Sequence, residues 1–210
     1  MTRIGSKWFM AIAIAALVWG GDPLPAQGLL EVRVETEPGD IVLEVDTVRA
    51  PNTATSFLRY VDEGHYDAGT WHRTVRLDNQ PDSAVKIEAI QAAVNRERAR
   101  SGFPRIAIER TSTTGLLHKD GAISMARGTP DSATSGWFIC INDQPSLDFG
   151  GARNPDGQGF AAFGRVVSGM DVVRKIQAAP SSADRKTNAE AQRLTPPIKI
   201  IKVARQLGVH

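Results

Sequence analysis

Few side chains in this chain of 210 residues are placed to do chemistry, and most combinations can be set aside from type and spacing alone. His65 and His72 are not at metal-ligand spacing, and with only four histidines present a zinc site is not expected. Asp148, Asn154 and Asp156 bring oxygen ligands near one another. Asn154-Pro155-Asp156-Gly157 is a turn sequence in its own right, however, and the stretch lacks the ligand spacing and bidentate glutamate of an EF-hand. No Gly-x-Ser-x-Gly elbow and no phosphate-binding glycine loop occurs, which disfavours hydrolase and nucleotide chemistry. The single cysteine, Cys140, is flanked by Phe138, Ile139 and Ile141, the setting of a buried strand and an inert thiol. What remains is Trp71-His72-Arg73, with Gln80 and Gln91 downstream, and three blocks in a fixed order. These are ISMARG (residues 123–128), SATSGWFICI (132–141) and FAAFGRVVSGMDVV (160–173).

Taken alone, Arg73 would pass for a surface charge at a strand end. In company, the blocks resemble the core of the cyclophilins, a family of peptidyl-prolyl cis-trans isomerases, over about Leu29 to Val203. The resemblance places Trp71-His72-Arg73 on the family's Phe-His-Arg, so that Arg73 matches the catalytic arginine and His72 lies beside the substrate. Twisting an X-Pro amide destroys its resonance against a barrier of about 18–20 kcal/mol. The prolyl nitrogen gains a lone pair as it pyramidalises, and a guanidinium N–H can donate to it. That contact is stronger in the twisted state than in either planar isomer, and so it lowers the barrier. Lysine would be a poor substitute, because only the planar fork can hold the amide and a neighbouring glutamine together.

After Val75 the family pattern breaks. Two glutamines compete to bind the substrate backbone: Gln91, because EAIQAA resembles a displaced Phe-Met-x-Gln-Gly-Gly, and Gln80 as the alternative. On the first reading Glu88 and Ala89 take the two apolar positions, and the pocket becomes shallower and more polar. Ala126, Arg127 and Gly128 match the strand and turn that hold the residue before proline. Phe138 matches the floor of the proline pocket, Leu147 its wall, and Phe160 stands as an aromatic where the family has histidine or tyrosine. Gly136 replaces a frequent glutamine. The implied substrates are unfolded or flexible proline-containing polypeptides, with no cofactor and a monomeric chain. A rival reading, drawing on Glu88, Ala89, Gly136 and Phe160, is a binding module or chaperone that holds proline segments with little catalysis.

The elements that must position these groups are legible from periodicity. LEVRVET and DIVLEVD alternate around Glu37-Pro38-Gly39-Asp40 and predict a hairpin over Leu29 to Val48. Pro51 to Glu63 carries Ala54, Phe57, Leu58 and Val61 at helical spacing, with Gly64 past its end; Ser168 to Ala178 repeats this more weakly. Short apolar runs, WHRTV, AISMAR, WFICI, AAFGRVV and PIKIIKVA, punctuated by Gly, Pro, Asn and Asp, predict a mainly β protein. Its strands form a closed antiparallel β-barrel with two flanking α-helices, PIKIIKVA pairing beside the first strand. An inserted segment spans about residues 76–117. Within it, Val85 to Arg98 reads equally as a helix or as the strand KIEAIQ followed by a loop. Residues 150–159 and 181–194 read as loops.

Hydrophobic residues at 41% can supply one core, and the domain is read as residues 27–210. Residues 1–26, with Arg3 and Lys7 ahead of a short apolar run, read as a cleavable export signal, which implies a periplasmic or secreted protein; an uncleaved membrane anchor is the alternative. Removing them leaves 23 basic and 22 acidic residues with no basic cluster, so nucleic-acid binding is not expected. No membrane association is expected after cleavage. One cysteine allows no intramolecular disulfide, so packing must supply the stability.

Overall fold

The computed structural model describes residues 28–98, 102–182, 184 and 186–206; the expected export signal lies outside them. Alternation builds the first hairpin. In β1 (Leu29–Thr36) Val32 and Val34 are fully buried, and in β2 (Gly39–Asp46) so are Ile41, Leu43 and Val45. The register pairs Val34 with Ile41 and Val32 with Leu43, so one face of the hairpin carries the whole apolar set.

Six further strands continue the sheet: β3 (Thr70–Val75), β4 (Ala89–Ala93), β5 (Ala122–Met125), β6 (Trp137–Cys140), β7 (Ala161–Ser168) and β8 (Arg193–Arg205). Their order, β1-β2-β7-β5-β6-β4-β3-β8, is a closed antiparallel barrel. Closure depends on β8, which contains the PIKIIKVA run and pairs with β1 on one side and β3 on the other. No sheet edge is left open.

Two longer helices cover the interior. In α1 (Pro51–Asp62) proline opens the first turn, where its missing N–H costs no hydrogen bond. Its Phe57 packs against Tyr66, Trp137 and Phe163 with ring centroids 5.6, 5.4 and 5.0 Å away. Single turns follow at α2 (Thr111–Thr114) and, late in the chain, α4 (Asn188–Ala191), the latter inside the stretch expected to be a loop. Between them α3 (Met170–Ala178) buries Val172, Val173 and Ile176 against β2, β3 and β4.

The ambiguous stretch after Val85 is a strand, β4, not a helix. Ile90 and Ala92 face the barrel core while Ile87 and Ala89 join a second apolar cluster on the barrel's outer surface. Because both faces are covered, the period of two is blurred and Ile87, Ile90 and Val94 mimic helical spacing. The segment read as an insertion therefore contains an integral barrel strand. The outer cluster comprises Val75, Ile87, Ala89, Ala122, Phe138, Cys140 and Leu147, with Ala126 and Phe160 at its margin. Trp137, one residue before Phe138, points the other way into the core, 5.1 Å from Trp71.

Candidate active site

Strict alternation would put Trp71 and Arg73 on the same face of β3. A bulge separates them: the ladder shifts between these residues, so that Trp71 pairs with Ala92 and faces the core while Arg73 pairs with Gln91 on the outer surface. His72 is the extra residue that re-aims the arginine.

The arginine is then fixed on three sides. Nη1 donates to Gln91 Oε1 at 2.9 Å, Nε donates to Gln192 Oε1 at 2.8 Å, and Nη2 donates to the same oxygen. Gln192, fully buried at the end of α4, is itself oriented by donating from Nε2 to the Asn79 carbonyl at 3.1 Å. Of the five N–H groups of a guanidinium, these three contacts leave two for a ligand. Burial, with the Arg153 guanidinium as a second cause, pulls the Arg73 pKa below its usual value. An arginine remains cationic at neutral pH even so.

Beside Arg73 lies a hollow of about 220 Å³. Phe138 is its floor, 6% exposed, with Phe160 standing edge-on at 5.5 Å and 88°, and Leu147, Ile87, Ala89 and Ala126 as aliphatic walls. Beside Phe138 the His118 ring lies nearly parallel at 6.2 Å, and it stands edge-on to Phe160 at 6.5 Å. That imidazole is held at both nitrogens, by Asp148 Oδ1 at 2.7 Å and Ser124 Oγ at 2.9 Å, so the floor rests on a hydrogen-bonded support. Phe160 is positioned by the glycine before it. Gly159 has φ +65°, and a Cβ there would lie 2.6 Å from the Asp148 carbonyl carbon, a close approach only glycine permits. Arg127 ties this loop down, donating from Nε to the Gly159 carbonyl at 2.7 Å and pairing bidentately with Asp156 at 2.8 and 2.9 Å. The pair holds the Asp156 carboxyl at about 2.

Of the residues singled out in the sequence, Arg73, Gln91, Ala126, Arg127, Phe138, Leu147 and Phe160 all line this hollow. Gln80 does not. It staples the preceding loop, donating to the Arg76 and Ile87 carbonyls and accepting from the Ile87 N–H. His72 does not line it either: the bulge turns it into a separate depression with Arg96 and Arg193, where burial, then Arg73 and Arg96, lower its pKa. Gly128 lies in an exposed turn, its N–H donating to Ser132 Oγ at 3.0 Å. Glu88 faces away toward Asn142 and Gln177, and Ile87 fills the wall instead, so the hollow is less polar there than Glu88 implied.

Sequence reasoning missed Gln192, Arg153 and His118. Gln192 meets Arg73 across 119 residues, and no local pattern marks it. Arg153 comes from a stretch read as plain loop. His118 carried a signal of its own, a histidine five residues before ISMARG. Burial pushes the Cys140 thiol far up, in keeping with an inert sulfur. Among the described residues no group of three or more His, Cys, Asp or Glu side chains is arranged to hold a metal, and no helix is long and apolar enough to cross a membrane.

Solved structures with this barrel include a cyclophilin-type isomerase of Cryptosporidium parvum, at TM-score 0.65 and 18% identity over 86% of this chain and 99% of that one. The likeness is one of fold. Among curated proteins, a peptidyl-prolyl cis-trans isomerase of Acinetobacter baylyi is 33% identical over 192 residues, 90% of this chain and 93% of its own length. Isomerases of Streptomyces antibioticus and Escherichia coli are each 33% identical, covering 73% and 70% of this chain and 87% and 83% of their own lengths. With the family model for cyclophilin type peptidyl-prolyl cis-trans isomerase/CLD matching residues 31–205, the chain belongs to the cyclophilin-type peptidyl-prolyl cis-trans isomerases.

Proposed function

We propose that Arg73 and the hollow floored by Phe138 form the isomerase centre, acting on flexible proline-containing polypeptides outside the cytoplasm. The proline ring sits against Phe138 and between Leu147 and Phe160. Gln91 and Gln192 hold the guanidinium plane before substrate arrives, so an N–H is already aimed when the twisted prolyl nitrogen becomes an acceptor. No bond is broken and no proton need move. Rotation about an X-Pro bond is slow when uncatalysed, tens to hundreds of seconds at about 25 °C, which makes folding chains the natural clients.

The observation that carries this reading is the three-point anchoring of a half-buried cation beside an apolar hollow. A protease-coupled assay on a proline peptide tests it: the wild type should isomerise well above background and Arg73→Ala should not. A wild-type rate equal to background would remove the isomerase assignment for this site. The basic and apolar character of residues 1–26 supports export, as does a lone cysteine that is buried and cannot cross-link at the surface. Fractionation followed by N-terminal sequencing should find a periplasmic or secreted chain starting near residue 27. The hollow is assembled within one chain, which supports a functional monomer; sedimentation at working concentration checks it.

A further inference from the structure

Three guanidinium groups surround the hollow, and their partners differ. Arg127 is neutralised by Asp156, its side chain only 2% exposed. Among the described residues Arg73 has only the amide oxygens of Gln91 and Gln192. Arg153, from the loop between Leu147 and Phe160, donates from Nη1 to the Val85 carbonyl and to Gln80 Oε1 at 3.2 Å. Among the described residues no carboxylate pairs with Arg73 or Arg153. The acids of the surrounding segments are committed elsewhere: Asp148 to the His118 ring, Asp156 to Arg127, and Glu88 to Asn142 and Gln177. Two cations therefore line one partly enclosed hollow with no anion between them, close enough that Arg153 disfavours the charge on Arg73.

We propose that Arg153 is a specificity residue which, with Arg73, receives a carboxylate carried by the substrate. The hollow would then prefer proline segments with Asp or Glu next to the proline, or chains ending in proline with a free carboxylate. This rests on the reading of the hollow as the isomerase centre. A carboxylate offers two oxygens to the N–H groups of Arg153 that have no acceptor among the described residues and to the one N–H that Arg73 keeps besides that aimed at the prolyl nitrogen, and the interaction is charge-assisted in a partly water-excluded site. It also relieves the repulsion between the two guanidiniums.

The experiment uses matched peptides: Glu before proline against Gln before proline, Glu after proline against Gln after proline, and a peptide ending in proline as its free acid against its amide. NMR exchange yields both the isomerisation rate and the dissociation constant for each. In at least one pair the carboxylate form should be favoured by about tenfold at low salt, with the advantage shrinking as salt rises. The pair that shows it identifies the source. In Arg153→Gln the ratio within that pair should fall to about one. Because that change could loosen the loop, the Arg153 side-chain N–H resonance in the wild type is a second reading: it should shift with the carboxylate peptide and not with its neutral partner. Ratios under about twofold in every pair, a ratio that survives Arg153→Gln in a folded variant, or an unmoved Arg153 resonance would each overturn the proposal. If no peptide is isomerised, the isomerase reading fails separately, and the dissociation constants still decide this one.

Discussion

Replacing Arg73 by lysine separates a fixed fork from a mere positive charge. The guanidinium spends three N–H groups on Gln91 and Gln192 and keeps two in the same plane for substrate. An ammonium has three donors and no plane, so satisfying both glutamines leaves one donor of undefined direction. Removing a preorganised donor from a developing charge typically costs about 10² to 10³ in rate, and Arg73→Ala should lose that much in kcat/KM. Arg73→Lys should lose about 10- to 100-fold, mostly in kcat, because a misplacement of about 1 Å at a reacting atom can cost a hundredfold. Folding should suffer less: truncation to alanine strands the Gln192 Oε1 acceptor in the interior, a penalty of about 1–3 kcal/mol. The assay is isomerisation of a proline peptide at several substrate concentrations, with thermal unfolding of each variant alongside. Retention of more than about half the wild-type kcat/KM by folded Arg73→Lys would refute the argument that a planar, pre-anchored fork is required.

Phe138→Ala should cost about 3–5 kcal/mol of stability, since the ring is 6% exposed and packed against the rings of His118 and Phe160, whereas Phe138→Leu should fold within about 1.5 kcal/mol of wild type yet bind proline peptides more weakly; denaturant unfolding and peptide titration distinguish them. Gly159→Ala forces a side chain onto positive φ and into the Asp148 backbone, so it should destabilise by more than about 2 kcal/mol and perturb the Phe160 resonances. The His72 pKa is depressed in the folded state, so the unfolded chain takes up the proton first. Stability should be fully present above the ordinary value of 6.5 and fall below it, and His72→Gln should flatten that fall in a pH series of unfolding curves. Catalysis itself should be level from about pH 6.5 to about pH 9, because no titrating group need exchange a proton during rotation and Arg73 stays charged throughout.

The barrel and much of the hollow were legible in local patterns of residue type. Alternation in LEVRVET and DIVLEVD allows only one buried face, the spacing of Phe57, Leu58 and Val61 demands a helix, and Phe138 must oppose Trp137 on a strand; these are local consequences of periods 2 and 3.6. Arg73, Gln91, Leu147 and Phe160 were legible because they sit in or beside motif blocks. The remainder depends on how distant segments meet. β4 could be told from a helix only by its two pairing partners, β3 and β6, because burial on both faces erased its period. His72 left the hollow, and Arg73 entered it, through a one-residue bulge that no residue type announces. Gln192 and Arg153 arrive from distant loops because barrel closure by β8 and the anchoring of the Gly159 loop bring them there. Long-range contacts of this kind depend on the path of the whole chain, and a local window of sequence carries no record of them.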